Sequence, residues 1–152
     1  MIGLLLAVVL FNCLAFLINK RLTKNQLVHI WMFTVALQVL VDGYLCKKYH
    51  AYWYFSGHAE WKALFALTVL IPPVNIIFLN SYPFGKSLVK KALTIFCWNL
   101  AITAYELITL LPEPWGYFRY GWWKTYYSFL VNPFLLWIVA AYYRWIRKIE
   151  RE

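Results

Sequence analysis

Two carboxylates in this chain sit where carboxylates are rare. Asp42 and Glu106 each fall near one end of a long apolar stretch, and a charged group at the centre of a bilayer costs at least about 2.5–3.5 kcal/mol on insertion scales. Such a group must pair with a cation, face water or stay protonated. Three chemistries follow: capture of a cationic ligand, proton handling, or an ion pair that clamps helices. Arg119 and Lys124 are the expected cations, with His50 and His58 behind them. Trp122 and Trp123 adjoin these residues, and aromatic faces attract cations.

Each carboxylate closes a polar stripe at helical spacing. Thr34, Gln38 and Asp42 recur every fourth residue, and Asn99, Thr103 and Glu106 follow at four and three. Thr125, Ser128 and Asn132 repeat the pattern, while Asn12 and Asn75 stand alone in their stretches. Polar side chains avoid lipid, so these faces should turn inward and hydrogen-bond between helices. Ligand- or ion-binding candidates are therefore Asp42, Glu106, Gln38, Asn99, Arg119, Lys124, Trp122 and Trp123.

The elements that must position them are five apolar runs, at 1–18, 27–45, 63–80, 92–111 and 125–146. A spanning helix needs about 20 mostly apolar residues, with a range of about 17–25. Hydrophobic residues make up 63% of the 152 and charged residues 14%, which leaves too little polar sequence to cover five such runs in water. The expected fold class is all-α: one integral membrane bundle over 1–152 with five transmembrane helices.

Orientation follows from Lys and Arg in the connections. Lys20, Arg21, Lys24, Lys86, Lys90, Lys91, Arg144, Arg147, Lys148 and Arg151 put ten on one side. Lys47, Lys48, Lys62, Arg119 and Lys124 put five on the other. The N-terminus is accordingly expected outside and the C-terminus in the cytoplasm. The net charge of +9 then reflects membrane topology, and no basic-aromatic signature argues for nucleic acid. The first run lacks a preceding basic stretch and a small-x-small cleavage site, so it is expected to be a retained helix.

Acidic and aromatic residues collect at the outer end. Asp42, Glu60, Glu106 and Glu113 all lie there. So do the aromatic segments 47–55, with Trp61 beyond, and 112–124. An interfacial belt accounts for them. The two outer connections are expected to lie against the interface as short surface helices or a lid, and the sharper alternative is that they roof a cavity.

Prolines mark three further positions. Pro72 and Pro73 in the third run, and Pro133 in the fifth, remove backbone donors and predict kinks or breaks. Gly85-Lys86-Ser87 lacks the earlier glycines of a phosphate loop. The three cysteines have no paired or metal-ligand spacing, so no metal or cofactor is expected.

The order of Pro72-Pro73, Ile76 to Asn80, Tyr82-Pro83, Trp98, Glu106, Tyr120 to Lys124, Tyr127-Ser128 and Asn132-Pro133 before a basic end resembles a family of small multi-pass membrane proteins from spore-forming bacilli and clostridia. The resemblance spans most of the chain, most clearly from Thr68 onward. It implies a bacterial plasma-membrane bundle of four or five helices and no particular activity.

Three functions are in competition. The first is a binding or transport module whose outer cavity takes a small amphipathic or cationic molecule or a lipid headgroup. The second is a structural or regulatory subunit, in a homo-oligomer or a larger membrane complex. The third is a membrane-embedded enzyme using Asp42 and Glu106 as acid and base, which requires both groups to reach one substrate.

Overall fold

The computed structural model describes residues 1–55 and 61–152. His58 and Glu60 lie outside the described residues. The chain is mostly helical. Helix α1 covers Ile2–Ile18, and α2 covers Lys24–Asp42 and runs on as a π-helical turn over Gly43–Lys48. Strand β1 (Tyr52–Tyr54) follows. Helix α3 (Trp61–Phe65) passes through a second π-helical turn at Ala66–Leu70 into α4 (Ile71–Ser81). Helix α5 covers Leu88–Thr109, strand β2 Phe118–Tyr120 and helix α6 Thr125–Ile149.

Among the described residues, four helical stretches are long and apolar enough to cross a membrane: Lys24–Lys48, Lys62–Ser81, Leu88–Thr109 and Thr125–Ile149. Helix α1, at 17 residues, is apolar but shorter. Several helices outrun their apolar stretches at the basic end. Helix α5 starts before Lys90 and Lys91, and α6 continues through Arg144, Arg147 and Lys148. Lys and Arg are good helix formers whose stems can lie along apolar surface, so hydropathy stops a turn before the backbone does. Thr23 and Gln26 form a capping box that starts α2 at Lys24.

The prolines explain how the helices are tied together. A proline at position i leaves the carbonyl of i−4 without its helical donor. Pro72 and Pro73 therefore free the carbonyls of Thr68 and Val69. The Trp31 indole donates to Thr68 O at 3.0 Å, and Asn12 Nδ2 donates to Val69 O at 3.0 Å. Pro133 frees Phe129 O, which accepts from Asn99 Nδ2 at 2.9 Å. Helix α6 continues unbroken past Pro133, whereas the Pro72–Pro73 step begins α4 after the π-helical turn. Each lost backbone bond is replaced by a side chain from another helix.

The most extensive apolar cluster lies toward the basic end, where Ile30, Ile76, Phe78, Leu79, Val139, Ala140 and Tyr143 pack together, and smaller ones lie around Leu4 and Leu70 and around Tyr52 and Trp123. Helices α1, α2 and α4 form one packed group, and α5 packs mainly on α6. Helix α5 reaches the others through long side chains. Trp98 Nε1 donates to Ser81 Oγ at 2.8 Å, and the Tyr105 ring meets Phe11 edge-on at 5.5 Å. That spacing leaves room inside the bundle toward its acidic end.

Candidate functional site

The roof of that space is a small antiparallel ribbon. Tyr52 pairs with Tyr120, Trp53 with Arg119 and Tyr54 with Phe118. Successive side chains of a strand point to opposite faces, and paired residues share a face. Tyr52, Tyr54, Phe118 and Tyr120 therefore form one face, and Trp53 and Arg119 the other. The inner face is a close aromatic cluster: Tyr52 lies 4.9 Å from Phe118 and 5.7 Å from Trp123, between ring centroids. Parts of the two connections expected as surface helices or a lid, Tyr52–Tyr54 and Phe118–Tyr120, form this ribbon.

Backbone hydrogen bonds seat the ribbon on the helix ends, through Ala51 N to Leu45 O at 2.8 Å and Tyr117 N to Thr109 O at 2.9 Å, and others extend its pairing. Ala51 O accepts from Gly121 N at 2.9 Å and from Trp123 N at 3.0 Å. Gly121 allows that approach, since a Cβ there would lie 2.5 Å from His50 O. The Trp122 indole donates to Tyr49 O at 2.8 Å.

Both carboxylates lie beneath this roof, and both are held by neutral donors. Asp42 is only 7% exposed. Its Oδ1 accepts from the Tyr52 hydroxyl, and its Oδ2 from the Tyr54 hydroxyl at 3.2 Å. Glu106 Oε1 accepts from the Tyr120 hydroxyl and from Ser128 Oγ at 2.7 Å. Ser128 Oγ in turn accepts from the Trp123 indole at 2.8 Å, and the Tyr120 and Thr125 hydroxyls lie 3.0 Å apart. Burial raises the Tyr52 and Tyr54 hydroxyls well above the usual phenol range, and the neighbouring Asp42 charge adds to this. Burial, and then the bond to Glu106, push Tyr120 up to about 12. These phenols stay protonated at ordinary pH and act as donors.

Asp42 and Glu106 line one cavity of about 200 Å³, together with Gln38, Tyr52, Trp123 and Ser128. Below it lies a second cavity of about 210 Å³, whose lining includes Thr34, Asn75 and Trp98. Gln38, Tyr105 and Asn132 belong to both, so the two adjoin. Asn75 Nδ2 donates to Thr34 Oγ1 at 3.0 Å in the lower one. Among the described residues, three buried polar atoms lack a hydrogen-bond partner: Asn99 Oδ1, Thr103 Oγ1 and Asn132 Nδ2.

Sequence spacing and structure diverge at several of the expected residues. Asp42, Glu106, Gln38 and Trp123 converge on the cavity. Asn99 lines neither cavity and instead completes the α6 backbone at Phe129. Arg119 and Lys124 are exposed, and among the described residues neither carboxylate makes an ion pair. The expected pairing of those cations with the acids is thus replaced by tyrosines. The physical reason for Arg119 is strand alternation, which turns it away from the face carrying Tyr52 and Tyr54. Trp122 is 51% exposed and braces Tyr49 from outside. His50 is exposed at a positive-φ turn before β1.

The residues sequence reasoning missed are Tyr52, Tyr54 and Tyr120. Their signal was the Tyr-Trp-Tyr and Phe-Arg-Tyr alternation, a strand pattern inside what resembles an interfacial belt. Among the described residues, no cluster of three His, Cys, Asp or Glu could hold a metal ion. No family model, no curated protein and no solved structure matches this chain.

Proposed function

We propose that this chain is a five-span membrane protein that binds a small cationic or amphipathic ligand in an outward-facing cavity. In this reading α1 spans as well, since 17 residues reach the lower end of the spanning range. The N-terminus lies outside and the basic C-terminus in the cytoplasm, on the side favoured by the positive-inside rule. Kinship with the small membrane proteins of spore-forming bacilli and clostridia belongs to the same proposal and implies the bacterial plasma membrane. A reporter fused after Glu152 should be active only in its cytoplasmic form. Activity of an external reporter at that point inverts the topology.

One observation carries the functional reading. Two carboxylates from different helices line a single cavity, and among the described residues no cation neutralises either of them. Buried anions held only by hydroxyls attract a positive group, and the Tyr and Trp faces around them add cation–π attraction of about 0.5–2 kcal/mol. The unpartnered Asn132 donor, at the junction of the cavities, suits a ligand that also carries an acceptor.

The test uses benzyltrimethylammonium as probe and thermal unfolding of the purified full chain in detergent. The probe should raise the midpoint of the wild type, by an amount that grows with concentration. Glu106→Gln should abolish that response while keeping the helical signal. An unchanged response in Glu106→Gln refutes the reading.

The shared cavity also meets the condition for an acid–base enzyme, that both carboxylates can face one substrate. That reading ranks second, because the donors on Asp42 and Glu106 are structural tyrosines and a serine, which leave neither group distinguished as the acid.

A further inference from the structure

The basic end of the bundle holds a further cavity, of about 420 Å³, lined by Arg21, Gln26, Tyr143, Arg147, Glu150 and Arg151. We infer that it is a binding site for a phosphate-bearing anion, presented by the headgroup of an acidic phospholipid. The inference concerns the opposite end of the molecule and does not depend on the cation-binding reading.

A general excess of positive charge would leave the arginines as loose surface side chains. Here two of them are fixed. Arg21 Nη1 donates to Leu79 O at 2.9 Å and to Tyr82 O, and its guanidinium lies 5.4 Å from the Phe84 ring centroid. Arg147 lies 5.7 Å from the Tyr143 ring centroid. Stacked guanidinium groups lose less freedom when an anion binds, and their planar donor sets match phosphate oxygens.

The acid in this cavity is occupied elsewhere. Glu150 Oε1 accepts from Asn25 Nδ2 at 2.7 Å, and Oε2 accepts from Gln26 Nε2. Those two amides, more than the nearby cations, hold its carboxyl below the usual range. Both oxygens point to α2, and among the described residues no arginine forms an ion pair. Three guanidinium charges therefore face the cavity against one carboxylate that is already hydrogen-bonded. The net positive charge of the lining favours an anion, and a singly charged phosphodiester leaves part of it uncancelled.

The position of the site argues for a lipid as the source. Trp145 is 57% exposed at the same end of α6, between Arg144 and Arg147, and an exposed Trp beside basic residues marks the headgroup level. Basic pockets between helices at that depth suit acidic headgroups.

The test is thermal unfolding of the full chain in a neutral detergent at fixed ionic strength. Three additives are compared: dioctanoyl phosphatidylglycerol, dioctanoyl phosphatidylcholine and sodium phosphate. Phosphatidylglycerol should raise the midpoint and phosphatidylcholine should not. Stabilisation by phosphate as well identifies the phosphate group as the recognised unit. Stabilisation by phosphatidylglycerol alone adds its acyl chains to the contact, and both results support the site.

The double variant Arg147→Gln with Arg151→Gln should lose the phosphatidylglycerol shift while unfolding normally without lipid. Lys86→Gln with Lys90→Gln removes two charges from the same end, outside the cavity, and should retain the shift. Equal stabilisation by the two lipids overturns the inference. So does an equal loss in both double variants, which would mean diffuse charge instead of a built site. Should Arg147→Gln with Arg151→Gln fail to fold, Arg151→Gln alone is compared with Lys90→Gln by the same criterion.

Discussion

Asn99 is tied to Pro133 through a single carbonyl, and that link can be measured. Asn99→Leu keeps the size of the side chain and removes the donor to Phe129 O, which the proline leaves without a helical partner. A buried acceptor stripped of its partner costs about 1–3 kcal/mol. Polar contacts between membrane helices average only about 0.6 kcal/mol, with a maximum of about 1.7. The same substitution also removes Asn99 Oδ1, which is buried without a partner, and this offsets part of the loss. The net effect of the single variant is therefore a small destabilisation, below about 1.5 kcal/mol.

The cycle with Pro133→Ala is sharper. Alanine at 133 supplies the missing N–H to Phe129 O, so the asparagine donor is no longer needed there. In that background Asn99→Leu should be neutral or stabilising, and the coupling should be about 1 kcal/mol. That is roughly a fivefold change in the unfolding constant, since about 1.4 kcal/mol is tenfold. Reversible unfolding in mixed micelles, followed by circular dichroism, reads all four corners. An Asn99→Leu effect that is the same with and without Pro133 would refute the carbonyl-replacement argument.

Trp31 and Pro72 should behave in the same way. Trp31→Phe, which keeps the ring and loses the donor to Thr68 O, should destabilise by about 1 kcal/mol, and Pro72→Ala should reduce that cost in the same unfolding assay. Gly121→Ala should loosen the roof, because its Cβ would meet His50 O at 2.5 Å. The expected cost is about 1–3 kcal/mol, with faster amide exchange at Trp123, read by hydrogen–deuterium exchange mass spectrometry. In an ultraviolet titration, Tyr120 should ionise only near pH 12, because its folded value is raised. Tyr120→Phe should therefore remove tyrosinate absorbance from the alkaline end of the curve and leave the portion near pH 10 unchanged.

Length and hydropathy made the long helices legible, because apolar length is the property a bilayer selects for. The carboxylates were legible for a related reason: two acids in apolar surroundings need an explanation wherever they fall. Their partners were not. Charge suggested Arg119 and Lys124, but for Arg119 pairing is decided by which face of a strand it occupies. Three-residue strands made of aromatic residues leave little to separate them from an interfacial belt. The prolines showed that Thr68, Val69 and Phe129 would need donors, yet nothing in the sequence selects Trp31, Asn12 and Asn99 to supply them. That choice depends on how helices distant in sequence lie against one another.

The donors on the two acids have a consequence for biogenesis. Asp42 is held by residues 10 and 12 positions later, and Glu106 by residues 14 and 22 positions later. Each acid therefore finds its hydroxyls within its own stretch of chain, α2 with the connection that follows it and α5 with β2 and α6. Neither stretch has to wait for the other to satisfy its carboxylate, so each acid can be hydrogen-bonded before the two meet. Only the ribbon needs both. Its pairing of Tyr52 with Tyr120 joins the two stretches, and the cavity between the acids is lined by residues of both.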